Sequence, residues 1–124
     1  MTITHNEFMA ILTATAADPT DTKIQALMTQ LQTQVLLLPV RYDDTGKLEI
    51  MMLTGLDERH YLPLYTDDTK LTAAGSAHYL PVTRPQWTQL CTQLPTLAAV
   101  AIDPEDTNLV LWPEDFGTRQ ARPA

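Results

Sequence analysis

Between Gln34 and Tyr65 the chain alternates apolar runs with short polar breaks. The runs are Val35–Tyr42, Leu48–Leu53 and Tyr61–Tyr65; the breaks are Asp43-Asp44-Thr45-Gly46 and Gly55-Leu56-Asp57-Glu58. Glycine-containing breaks of this length are hairpin signals, so the pattern predicts a three-stranded antiparallel meander. Leu36, Leu38, Val40 and Tyr42 share one face of the first strand, and Leu48, Ile50 and Met52 one face of the second. In the third, Leu62 and Leu64 oppose Tyr61, Pro63 and Tyr65. Period-2 patterning puts one face on a core and leaves the other partly wet. The first strand is apolar on both faces near Leu37, as a central strand would be.

Helices are expected on either side of the meander. Thr4 to Ala17 has capping-box spacing at Thr4 and Glu7, with Phe8, Ile11 and Leu12 on one face. Asp18-Pro19 offers an N-cap and a first-turn proline for a second helix to about Gln32. Its Ile24, Leu27, Met28 and Leu31 recur at i, i+3, i+4, i+7. Thr66 can cap a short turn that Gly75 ends. A fourth strand follows at His78–Val82. Thr83, with Gln86 in box position, opens a third main helix carrying Trp87, Leu90, Cys91 and Leu94, and Pro95 stops it. Leu97–Ile102 and Leu109–Trp112, joined by the turn chemistry of Asp103-Pro104-Glu105-Asp106, form a C-terminal hairpin. The expected fold is α+β: a mainly antiparallel sheet, meander plus C-terminal hairpin, packed with about three helices, two of them N-terminal. Leu-Pro-aliphatic recurs at Leu38-Pro39-Val40, Leu62-Pro63-Leu64 and Leu80-Pro81-Val82. Proline cannot donate to a ladder and a sheet has only two edges. At least one of the three therefore marks a bulge, a strand end or a break in pairing.

Composition narrows the function. A chain of 124 residues reads as one domain, 1–116, followed by a frayed tail at 117–124. With 44% hydrophobic and 19% charged residues it is ordinary for a globular protein. A net charge of −7, with eight Lys and Arg, argues against phosphate backbones and anionic lipid, so neither nucleic acid nor membrane is an expected partner. No run approaches the length of a membrane span, and the start lacks a basic signal-peptide region. The single cysteine fits a reducing compartment. The cytoplasm is the expected location.

Four pieces in order carry a family resemblance. They are Val35-Leu36-Leu37-Leu38-Pro39-Val40, Tyr61-Leu62-Pro63-Leu64-Tyr65-Thr66-Asp67, the Trp87–Leu94 helix, and Val100-Ala101-Ile102-Asp103-Pro104. Together they resemble the N-terminal domain of the SseB, "enhanced serine sensitivity", family of bacterial proteins. That family shows an aromatic-Thr pair where Tyr65-Thr66 stands and an Asn-Pro turn where Asp103-Pro104 stands; the Asp is a departure. The resemblance implies a cytoplasmic α+β domain with no agreed catalytic residues, and a second domain only in longer members.

Candidate chemistry is sparse. Cys91 sits mid-helix on an apolar stripe, the place of a small hydrophobe rather than a nucleophile. The pairs Asp43-Asp44, Asp57-Glu58 and Asp67-Asp68 fall in turns and match no calcium-loop pattern. Neither a phosphate-binding glycine loop nor a Gly-x-Ser-x-Gly elbow is present. No cofactor is expected. His60 and His78 share parity with the core leucines, so one reading is a small enzyme or metal-dependent protein using both imidazoles and a carboxylate such as Asp67. The first reading is a non-catalytic binding module for a protein partner or a second copy. Its candidate surface is Tyr61, Tyr65 and Tyr79, off the leucine face, with the Thr66-Asp67-Asp68 loop beside them. A purely structural subunit is the third.

Overall fold

The computed structural model describes residues 4–55, 57–94 and 96–112. The tail read as frayed, the remainder of the 1–116 domain beyond Trp112 and the helix stop assigned to Pro95 lie outside the described residues. In chain order the elements are α1 (His5–Ala17), α2 (Asp21–Leu31), β1 (Leu36–Tyr42), β2 (Leu48–Ile50), β3 (Leu53–Thr54) and β4 (His60–Leu64). Then come α3 (Asp68–Ala73), β5 (His78–Val82), α4 (Arg84–Gln93), β6 (Leu97–Ile102) and β7 (Leu109–Leu111). The fold is α+β.

Local chemistry sets most helix ends. Thr4 and Glu7 close a capping box on α1, Glu7 N–H donating to Thr4 Oγ1 at 3.1 Å. Asp18 does not cap α2. It ends α1 at φ −150°, ψ 84°, outside the helical region that a following proline disfavours, and its carboxylate meets Lys23 Nζ at 3.2 Å. Thr20 caps α2 instead, accepting from Lys23 N–H at 3.3 Å. Asp67, not Thr66, caps α3, accepting from Lys70 N–H at 2.8 Å, and Gly75 at φ +91° releases the chain from that helix. At α4 the Gln86 carboxamide accepts from Thr83 N–H at 2.8 Å.

The three-stranded meander does not form. Two sheets take its place, ordered β2-β1-β5 and β3-β4-β6-β7. Pro39 accounts for the split. Its carbonyl accepts from Met51 N–H at 3.1 Å, so its backbone nitrogen faces the same neighbour and has no hydrogen to give. The second predicted strand therefore leaves β1 there and resumes as β3 in the other sheet. The end of β4 takes its place beside β1: Leu37 and Tyr65 exchange N–H···O bonds of 2.8 and 2.9 Å. The other two prolines are also spared a ladder bond. Pro63 points to the edge of β4 beyond the end of β3, and Pro81 to the outer edge of β5. The pairing of β4 with β6 is parallel, which the α3–β5–α4 crossover between them permits.

The leucine-bearing face is sealed. Leu36, Leu38, Val40, Leu62, Leu64, Val100, Ile102, Leu109 and Leu111 pack with Phe8 and Leu12 of α1, the Ile24–Leu31 stripe of α2, and Trp87 and Cys91 of α4. The helices do not reach one end of it. Tyr42, Leu48, His78 and Leu80 share this side by register yet are exposed, the Tyr42 and His78 rings in edge contact at 5.3 Å. Among the described residues, no helix is long and apolar enough to cross a membrane.

Candidate functional site

Among the described residues, α3 is the helix that lies on the second face of the sheets. Alternation along the strands places Leu37 and Pro39 of β1, Tyr61, Pro63 and Tyr65 of the β4 segment, Ala99 and Ala101 of β6, and Val110 of β7 on this side. Leu71 of α3 is buried outside the main core, so the short helix closes a small second layer over the Tyr65 end. Beyond it Pro63, Ala99 and Ala101 are still buried, and Tyr61 and Val110 are half-buried.

At the closed end a buried carboxylate ties three segments together. Asp103 follows β6 at φ +49°, a left-handed conformation that Asp and Asn tolerate better than most residues. Its backbone N–H donates to Leu64 carbonyl at 2.8 Å, and its carbonyl accepts from Asp106 and Asn108 N–H, both at 2.9 Å. The side chain is 0% exposed. Thr66 N–H donates to Oδ1 at 2.9 Å and Thr66 Oγ1 to Oδ2 at 2.7 Å; Lys70 Nζ lies 3.0 Å from Oδ2. Lys70 also meets Asp106 Oδ2 at 3.2 Å. Burial is the largest single influence on the Lys70 ammonium and pushes its pKa down. The bonds and charges of Asp103 and Asp106 outweigh it, so the net shift is upward. Tyr65 is 3% exposed and donates its hydroxyl to Glu105 Oε2 at 2.9 Å. Burial first, then that bond and the charges of Glu105 and Asp103, push its phenol well above the ordinary range.

Two cavities open beside this hub. One, about 250 Å³, is lined by Tyr65, Lys70, Ala73, Ala74 and the acidic residues of the β6–β7 turn. The other, about 370 Å³, has Ala101 and Val110 on its floor and Leu53, Gly55, Tyr61, Pro104 and Asn108 among its walls. Glu105 lines both, so the two cavities flank its side chain; together they form the trough beside β3-β4-β6-β7. Tyr61 is set rigidly in its wall. Its hydroxyl donates to Asp57 Oδ2 at 2.7 Å and its ring meets Trp112 edge-on at 6.4 Å. That hydroxyl, followed by Arg59 N–H, holds the Asp57 carboxyl below its usual value; in turn the bond to Asp57, then burial, raises the Tyr61 phenol. Gly55 makes room for the ring: a Cβ there would lie 2.7 Å from Tyr61 Cε2.

The residues singled out from sequence are thus only partly gathered. Tyr61 and Tyr65 line the trough, Thr66 bonds Asp103, and Asp67 and Asp68 begin α3. Tyr65 is covered rather than presented. Tyr79 lies across β1 on the exposed strand β5, paired with Pro39, so the three tyrosines do not make one exposed patch. The histidine constellation is not formed either. His60 is on β4, its Nδ1 3.3 Å from Thr54 Oγ1; His78 is on β5 in the other sheet, against Tyr42. Asp67 is spent on the α3 cap. Among the described residues no group of His, Cys, Asp and Glu is arranged to hold a metal ion.

Sequence reasoning missed Asp103, Glu105 and Lys70, having read the acidic residues as solvated turn formers. The signal was present: Tyr65-Thr66 and Asp103-Pro104 were picked out as separate motifs, and here they touch.

The described residues thus form an α+β domain with α1, α2 and α4 on one face of its sheets and α3 on the other. The family model for the SseB protein N-terminal domain matches residues 9–116, and the chain belongs to that family. No curated protein and no solved structure matches it.

Proposed function

We propose that this domain is a non-catalytic binding module that holds a partner protein in the trough between Tyr61, Glu105 and α3. The observation that carries this reading is the asymmetry of the sheet. Three helices pack on one face, while on the other a cavity reaches down to the buried Ala101 and the half-buried Val110. A concave, largely apolar cavity with a few polar groups in its wall is the usual mark of a binding site. The walls are pre-set by hydrogen bonds at Tyr61, Tyr65 and Asp103, so little side-chain freedom is lost on docking. A reducing cytoplasm suits the buried Cys91 of such a module.

The test compares captures by tagged wild-type domain and by a Leu53→Ser/Tyr61→Ala variant, which removes two apolar walls and adds no charge. Leu80→Ser, at the exposed end of the other sheet, is the control. The reading expects a protein retained by wild type and by Leu80→Ser and lost by the trough variant, with the far-UV circular dichroism of all three alike. A partner lost through Leu80→Ser and held by the trough variant would overturn it.

A further inference from the structure

The trough reading leaves the chemistry of the occupant open, and the charges around Glu105 narrow it. Among the described residues, the cavity beneath α3 carries Asp103, Glu105 and Asp106 against one cation, Lys70. Lys70 is already engaged by Asp103 at 3.0 Å and Asp106 at 3.2 Å. Among the described residues Glu105 makes no ion pair. Its carboxylate accepts a hydrogen bond from the neutral Tyr65 hydroxyl, which orients it without cancelling its charge. Among the described residues, the neighbouring cavity is lined otherwise by uncharged residues, with Glu105 as its one acidic wall.

Resting on the binding-module reading, we propose that the trough takes an extended segment of a partner protein in which an apolar side chain is followed by a lysine or arginine. The apolar group fills the space over Ala101 and Val110. The cation meets Glu105 between the two cavities. A small amine would satisfy Glu105 and leave one cavity open; a chain segment fills both. Phosphorylated or acidic segments are repelled by the same carboxylates. Glu105 acts here as a specificity-determining residue, since its charge selects the sign of the segment while the floor selects its apolar character.

The probes are capped hexapeptide amides of alternating leucine and arginine, leucine and glutamate, and serine and arginine, titrated into the 15N-labelled full chain. The expected result is amide shifts at Tyr61, Ala101, Glu105 and Val110 with the leucine–arginine peptide, and weaker binding of the other two. Glu105→Gln, which keeps an acceptor for the Tyr65 hydroxyl, weakens the leucine–arginine peptide by roughly threefold to tenfold. Equal binding of the leucine–glutamate peptide, or an unchanged affinity in Glu105→Gln, overturns the cationic segment and leaves the trough reading standing. A leucine–arginine peptide that moves no trough amide also overturns it. Failure of the trough reading itself shows separately, in partner capture that ignores Leu53→Ser/Tyr61→Ala.

Discussion

Removing the Asp103 carboxylate is the sharpest perturbation of the hub that shapes the trough. Asp103→Ala deletes three accepted hydrogen bonds, one of them from an ammonium, at a side chain with no exposure. Truncating one partner of a buried ion pair costs about 3–5 kcal/mol. Lys70 is 24% exposed and keeps Asp106 at 3.2 Å, which moves the expectation to the lower end, about 3 kcal/mol. Asp103→Asn keeps the acceptor for Thr66 N–H but turns a donor toward Lys70, and costs about 1–2 kcal/mol. A cycle with Lys70→Met isolates the pair. The expected coupling between Asp103→Asn and Lys70→Met is about 1 kcal/mol, because once the charge is gone the methionine is no longer a loss. Urea unfolding followed by circular dichroism reads all of these. With a slope of about 1.5 kcal/mol per molar, Asp103→Ala lowers the midpoint by about 2 M. A shift below about 0.5 M, or single and double variants additive within about 0.3 kcal/mol, would refute the claim that this pair ties β6 to the start of α3.

Three further expectations follow from the same geometry. Leu38 and Leu80 are cross-strand partners on the helix side, 1% and 38% exposed, so Leu38→Ala costs about 2–5 kcal/mol and Leu80→Ala under about 1 kcal/mol in urea unfolding. Tyr65 and Lys70 both titrate higher in the folded state than their ordinary values of 10.0 and 10.5. Their stabilisation is thus complete below pH 10 and lost as pH rises beyond it, and an alkaline melting series should fall from there, less steeply in Tyr65→Phe. Pro81 leaves the outer edge of β5 without a donor, so Pro81→Val restores an outward N–H and should give concentration-dependent association in sedimentation velocity, absent in wild type.

Helix positions and strand faces were legible in the sequence because they are local. The Thr4–Glu7 box, the Ile24–Leu31 stripe and the Trp87–Cys91 stripe each depend on residues within two turns of one another, and each stands where the pattern placed it. The leucine parity of β1 and β4 was equally plain, because alternation says which face a residue takes. It does not say which strand lies alongside. The meander reading assumed that successive strands pair, whereas Pro39 ends the β1–β2 ladder and hands that edge to Tyr65. The three tyrosines fell apart for the same reason: they share a face, but β1 stands between Tyr79 and the others. Asp103 was hidden because turn composition looks the same whether a carboxylate faces water or Lys70; only the fold brings Thr66 within 2.7 Å of it. The capping roles of Asp18 and Asp67 turned on which of several adjacent cap formers wins, a choice the packing of the helix makes.

The central claim is that the trough side of β3-β4-β6-β7, and not the uncovered end of β2-β1-β5, meets the partner. Amide hydrogen exchange of the domain alone and with its captured partner decides between them. Slowed exchange confined to β3, the Tyr61 segment and the Asp103–Val110 turn is the predicted result. Slowing at Tyr42–Leu48 and His78–Leu80, with the trough unchanged, would contradict it.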